Sequence, residues 1–224
     1  MIIGYAIIIE VRREYMKKSH ILTYSIAMVL MLASYLYYTT VFITGSMTLY
    51  LHSFHLVGIA LILLPFLFEL IIRKELPLLI SIGFYIFIFM SQIMGSAYQF
   101  YTNYPVWDLL AHGFSGALIV FFFAWLSKPV LEKESIVYQL LYLVGVSILV
   151  GVLWEIVEFC GDCWFGMNNQ VFRENGIPFV GQDAVKDTMY DLIVDLIGCC
   201  VGSIIVIIVN RLEKSKKVKD EKSL

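Results

Sequence analysis

The chain has 224 residues, of which 60% are hydrophobic and only 15% charged, against about 25% charged in an average soluble domain. That much apolar side chain exceeds what one buried core of this size absorbs, which excludes an ordinary soluble globule. A net charge of −2 gives no field for holding nucleic acid, and no Walker loop, G-x-S-x-G elbow or H-E-x-x-H zinc helix is present.

Residues 1–20 carry Arg12, Arg13, Lys17 and Lys18 and read as a cytoplasmic segment. Met1 to Glu10 is apolar but falls short of the roughly 20 residues needed to cross hydrocarbon. Met16-Lys17-Lys18, ahead of a long apolar run, offers a second translation start beside Met1, and N-terminal mass spectrometry distinguishes the two. The run from Ile21 to Ile43 is too long for a cleaved signal and is expected to remain as the first span.

Six stretches have spanning length: 21–43, 54–72, 76–97, 106–126, 136–160 and 187–209. The expected fold is therefore all-α, a six-helix transmembrane domain over 21–210 followed by a basic cytoplasmic tail at 211–224. Fourteen of the 16 Lys and Arg residues fall before the first span, between the second and third, between the fourth and fifth, or after the sixth. Only Arg173 and Lys186 fall on the other side. The positive-inside rule then places both termini in the cytoplasm and the loops near 44–53, 98–105 and 161–186 outside.

Within these spans, Pro65 is expected to kink the second, where Glu69 and Arg73 have the i, i+4 spacing of an ion pair. Gln92 and Gln99 are expected to hydrogen-bond between helices, and Gly198 and Gly202 form a small-xxx-small step that permits close approach. Tyr98, Tyr101, Tyr104 and Trp107 read as an interfacial aromatic belt.

Charged groups inside a membrane cost about 2.5–3.5 kcal/mol each on insertion scales, yet several are placed at one depth here. The fourth span opens with Asp108 and His112, at i, i+4. The fifth closes with Glu155 and Glu158, at i, i+3, followed by Asp162. The sixth, entered through Asp183, carries Asp187, Asp191 and Asp195 on one stripe. In the topology above, Asp108, Glu158 and Asp187 lie at the outer boundary, and His112, Glu155 and Asp191 about one turn deeper.

So many carboxylates cannot all ionise in one dry pocket without a cation or bound protons. Oxygen ligands with one imidazole suit Mg²⁺, Mn²⁺, Ca²⁺ or Zn²⁺. The expected ligands are Asp108, His112, Glu155, Glu158, Asp187 and Asp191, with Glu155, His112 and Asp191 as catalytic groups. A purely structural account stands beside this one. The helix macrodipole favours Asp108 and Asp187 at N-termini, and Glu158 and Asp162 can simply be hydrated.

Three segments carry a family resemblance. Asp108-x-x-x-His112 followed by Gly116 resembles the D-x-x-x-H-F-x-x-G segment of the YjdF-like inner-membrane proteins of bacteria. Trp154-Glu155-x-x-Glu158-Phe159 is similar to that family's Y-E-x-I-E-W. Gly181-Gln182-Asp183, then Asp187-x-x-x-Asp191 and Gly198, resembles its G-T-Q-x-D…D-x-x-x-D…G-A ending. The resemblance covers about residues 106–204. Gly113 stands where the family often has Phe, Trp154 stands for a Tyr, and Asp195 is not acidic throughout the family. A fainter likeness is to VanZ-like proteins, which share a His, a Glu and an Asp on successive helices. The resemblance implies a multi-pass protein of the bacterial plasma membrane with a shared polar core, not a reaction.

Other groups have plainer readings. Cys160-x-x-Cys163 has the spacing of a redox pair but is more often incidental on a helix. Cys199 and Cys200, beside Gly198, read as small packing residues. His52 and His55, near Tyr50 at the outer end of the second span, could complete a metal shell, whereas His20 sits at the inner boundary. Three functions follow: a metal-dependent enzyme acting on an envelope lipid or lipid-linked precursor, a proton- or cation-coupled transporter, or a non-catalytic envelope protein whose polar core fixes packing. The lack of an inverted repeat disfavours transport, since spans one to three lack the acids of spans four to six.

Overall fold

The computed structural model describes residues 2–45, 60–104 and 106–222, with side chains from residue 21 onward except 97, 217, 221 and 222. Tyr50, His52, His55 and the start of the expected second span lie outside the described residues. The chain divides into two compact units, Met1–Asn103 and Tyr104–Leu224. Among the described residues five helices are long and apolar enough to cross a membrane, and Leu61–Ile72 is a shorter apolar helix.

In the first unit, α1 runs Ile2–Ile43, its apolar part being Ile21–Ile43. A 3₁₀ turn, Leu61–Leu63, leads into α2, Leu64–Ile72. Pro65, expected to kink the second span, lies where the 3₁₀ turn passes into α2, and the part of that span before residue 60 lies outside the described residues. The proline occupies the first turn of α2, where its missing N–H costs nothing and its fixed φ starts the helix. Arg73 ends α2 in the left-handed region (φ 53°). The carboxylate of Glu69, expected to meet Arg73, accepts the backbone N–H of Leu76 at 2.6 Å across the turn into α3.

Helix α3, Leu78–Ile88, continues as a π-helical stretch, Phe89–Ala97. The wider winding redirects its carbonyls, and the Tyr38 hydroxyl of α1 donates to the Gln92 carbonyl at 2.8 Å. Gln92 thus joins two helices through its backbone oxygen. Gln99 lies beyond the span, exposed at φ 57°, ahead of the one-turn helix Phe100–Asn103. Ala27, Tyr38, Ile62 and Ile88 form this unit's buried cluster.

In the second unit, α4 spans Trp107–Leu126, α5 Ile136–Phe165 and α6 Lys186–Lys222, with a single turn Lys128–Leu131 between the first two. Ser135 caps α5 by accepting the N–H of Tyr138 at 3.3 Å. Gly166, in the left-handed conformation (φ 66°), ends it. Helix α5 therefore runs five residues past the expected end at 160, so Cys160, Asp162 and Cys163 are helical. The segment expected as a basic cytoplasmic tail is helical to Lys222. Its Lys214 donates to the Glu132 carbonyl at 3.0 Å, and Lys128 sits between Glu132 (3.8 Å) and Glu213 (3.7 Å).

The connection between α5 and α6 holds a feature the sequence reading missed. Strands β1 (Arg173–Glu174) and β2 (Ile177–Pro178) pair antiparallel in the register Arg173↔Pro178 and Glu174↔Ile177. Asn175 and Gly176 make the turn, both at positive φ (50° and 78°), as a type I′ hairpin requires.

Contact between α4 and α6 is backbone to backbone. A Cβ on Gly198 would collide with the Gly113 carbonyl oxygen, and one on Gly116 would lie 2.7 Å from the carbonyl oxygen of Asp195. The small-xxx-small step thus extends onto α4. Cys199 is fully buried with its thiol 3.7 Å from the Gly116 carbonyl, while Cys200 is exposed.

Polarity in this unit is distributed inside out. His112, Ser147, Glu155, Asp162, Asp191, Asp195 and Ser203 are buried, while Leu149, Leu153, Ile156, Val157, Ile193, Ile197, Val201 and Ile204 are exposed on the same helices. In water such a surface would associate. In lipid it is the stable arrangement, because hydrocarbon solvates the apolar side chains and the polar ones find each other.

A buried acid–imidazole cluster

Three stripes with four-residue spacing meet inside the second unit. They are Asp108, His112, Gly116 and Val120 on α4; Glu155, Gly151, Ser147 and Leu143 on α5; and Asp191, Asp195, Cys199 and Ser203 on α6. Spacing of four keeps each stripe on one face, and the glycines let the helices close on it.

Asp108, His112 and Asp191 each offer one ligand atom, all within 4.8 Å of one another. His112 Nε2 lies 3.8 Å from Asp108 Oδ1, and His112 Nδ1 lies 3.4 Å from Asp195 Oδ2. Asp191 is 1% exposed, and its Oδ2 has no hydrogen-bond partner among the described residues. An unsatisfied carboxylate oxygen at such depth is costly unless a cation or proton meets it.

The other expected ligands surround this group. Glu155 is buried with its Oε1 unpartnered among the described residues, while Oε2 lies 3.5 Å from Gln170 Nε2. Glu158 is half-buried and accepts the Trp154 indole N–H at 2.9 Å, within electrostatic reach of Asp108, His112, Glu155 and Asp191. Asp187 is half-buried and faces the fields of Asp108, Glu155 and His112. The six therefore share one region, but only three of them reach a common ligand distance among the described residues. Asp183 lies exposed in the 3₁₀ turn Gly181–Val185.

Asp162 has a different part. It is buried rather than hydrated, and its two oxygens accept the backbone N–H groups of Asn169 (2.7 Å) and Gln170 (3.0 Å). That clamp folds the chain back over α5. Gln170 then reaches Thr188 Oγ1 at 2.9 Å as well as Glu155. Arg173 secures the same turn by donating to the carbonyls of Gly166 (2.7 Å) and Met167 (3.1 Å). The sequence reading found neither Gln170 nor Thr188. Cys160 and Cys163 are unbridged, half-buried and exposed respectively.

Fold and cluster together define a helical membrane protein whose last three long helices enclose acidic groups and one imidazole. The chain belongs to the family described as "Predicted membrane protein (DUF2238)", whose model matches residues 20–212. It is also 30% identical over 142 residues to a Thermotoga maritima protein named only as uncharacterized. That alignment covers 60% of this chain and 65% of the relative, so the chain spans about two-thirds of the relative's length. No solved structure matches.

Proposed function

We propose that this chain is a six-span protein of the bacterial plasma membrane, with both termini cytoplasmic. In this reading it holds one divalent cation between Asp108, His112 and Asp191 at its extracytoplasmic end, for hydrolysis of a lipid-linked envelope substrate. The observation that carries the reading is the convergence of those three ligand atoms within 4.8 Å, on two helices whose glycines force them together. Ligand atoms around a tetrahedral cation at about 2.0–2.2 Å lie about 3.4 Å apart, so side-chain rotation closes the set. One imidazole with two carboxylates favours Zn²⁺ or Mn²⁺ over Mg²⁺ or Ca²⁺.

Held by these three residues, such a cation would act as a Lewis acid and acidify a water. Glu155 Oε1, unpartnered among the described residues, suits a general base. Water adds hydroxide to the electrophilic phosphorus or carbonyl carbon, its proton passes to Glu155, and Glu155 returns the proton to the leaving oxygen. Val106, Leu110, Trp154, Phe159 and Met189, on the same stretches of chain as the cluster, are exposed apolar side chains, which suits a site embedded in lipid. Deeper in the bundle Val120, Leu143 and Cys199 are fully buried and pack together, which supports a site open from one face rather than a passage.

Full-length protein in detergent, equilibrated with each of the four cations and dialysed, is expected to retain close to one Zn²⁺ or Mn²⁺ per chain by elemental analysis. Retention of none of the four overturns the reading. For the orientation, Cys163 is expected to react with a membrane-impermeant maleimide in intact spheroplasts of a strain in which the other three cysteines are serine. Labelling only after lysis would invert the topology.

A further inference from the structure

His112 has two ring nitrogens facing two carboxylates. Nε2 faces Asp108 at 3.8 Å, and Nδ1 faces Asp195 at 3.4 Å. Asp195 is not among the three groups at common ligand distance. It is 2% exposed, and its Oδ2 has no hydrogen-bond partner of good geometry among the described residues, with His112 Nδ1 3.4 Å away.

Both neighbouring helices give up a side chain beside it. On α5, a Cβ at Gly151 would collide with Asp195 Oδ2 and lie 3.1 Å from its Cγ. On α4, a Cβ at Gly116 would lie 2.7 Å from the Asp195 carbonyl oxygen. Gly151 thus provides the recess that admits the carboxylate beside the ring, while Gly116 brings the two backbones close.

We propose that Asp195 is the positioning residue of the cation site, accepting the Nδ1–H of His112 and thereby fixing the tautomer and ring angle that turn the Nε2 lone pair toward Asp108 and Asp191. A histidine that binds a metal through one nitrogen ordinarily donates from the other to a carboxylate or carbonyl, which orients the ring and raises its basicity. The inference rests on the cation reading above. It adds that the third acid of the α6 stripe acts through His112 and not on the cation.

The test uses the full chain in detergent with Zn²⁺ or Mn²⁺ alone as the probe. Asp195→Ala is expected to weaken binding by about 10–100-fold without abolishing it. Asp195→Asn, which keeps an acceptor oxygen and the volume, should lose less. Gly151→Ala touches no ligand, and it should weaken binding by moving the carboxylate while the protein stays monodisperse. The ¹⁵N imidazole signal of His112, assigned by its loss in His112→Gln, should report an Nδ1–H tautomer in the wild type and a mixture in Asp195→Ala. Such a change lies beyond a merely structural role. Wild-type affinity and an unchanged imidazole signal in Asp195→Ala would overturn the inference and leave the cation reading standing. Complete loss of metal in Asp195→Asn would also overturn it, by making Asp195 a ligand. A wild type that retains none of the four cations would remove the cation reading itself.

Discussion

Asp191→Asn should have opposite effects on metal affinity and on stability. The substitution keeps the volume but replaces one of three ligand oxygens with a neutral amide, so affinity should fall by more than the about 10–100-fold lost with an outer-sphere partner. Stability of the metal-free protein should rise. Asp191 is 1% exposed with an oxygen lacking any hydrogen bond among the described residues, amid further acids. Neutralising a buried, uncompensated charge relieves a penalty of about 1–3 kcal/mol. Thermal unfolding in detergent, with and without cation, reads both effects. If Asp191→Asn unfolded earlier than wild type in chelator, Asp191 would be a packing residue with a satisfied partner, and the case for a cation would lose its main support.

The second large effect concerns packing. Gly198→Ala should lower stability by about 1–3 kcal/mol, the usual cost of overpacking. The added methyl would meet the backbone of Gly113 and not a side chain that can rotate away, so α4 and α6 must separate. Gly202→Ala should cost less, because its nearest atoms, around Ala117 and Val120, lie at 3.1–3.2 Å. Gly145→Ala, with nothing within 4 Å, is the neutral control. Because α4 and α6 also carry the cluster, Gly198→Ala should weaken cation binding in proportion to that separation. Unfolding midpoints for the three variants in one detergent give the ranking. Equal midpoints would mean the two helices do not depend on this contact.

The bundle's polar interior was legible in the sequence because it rests on local periodicity. Four-residue spacing placed Asp187, Asp191 and Asp195 on one face before any partner was known, and the same arithmetic paired Asp108 with His112. Lipid made the reading sharper, since an acid within a span must turn inward. Which acids come within ligand distance was not legible. That depends on helix rotation and height, set here by glycine contacts between α4 and α6 and by the recess at Gly151.

The outer connection was the least legible part, because its folding depends on long-range partners. Nothing local announces that Asp162 will accept two backbone N–H groups seven and eight residues on, or that Gln170 will then reach Glu155 and Thr188. The hairpin is different. Asn175-Gly176 between short extended pairs is a direct turn signal, and it was overlooked because the segment was treated as a loop between spans. Pro65 was ambiguous in a different way, since a proline reads equally well as a kink or as a first turn until the neighbouring 3₁₀ segment is known.

Helix α6 joins the acidic cluster to the lysine-rich end without a break from Lys186 to Lys222. Each residue of a continuous helix advances the azimuth by about 100°. The direction in which Asp191 looks is therefore phase-locked to the direction in which Lys214 meets the Glu132 carbonyl at the far end. Removing one residue anywhere between them would swing one anchor about a quarter-turn away from its partner, whereas removing seven would restore the phase and shorten only the reach.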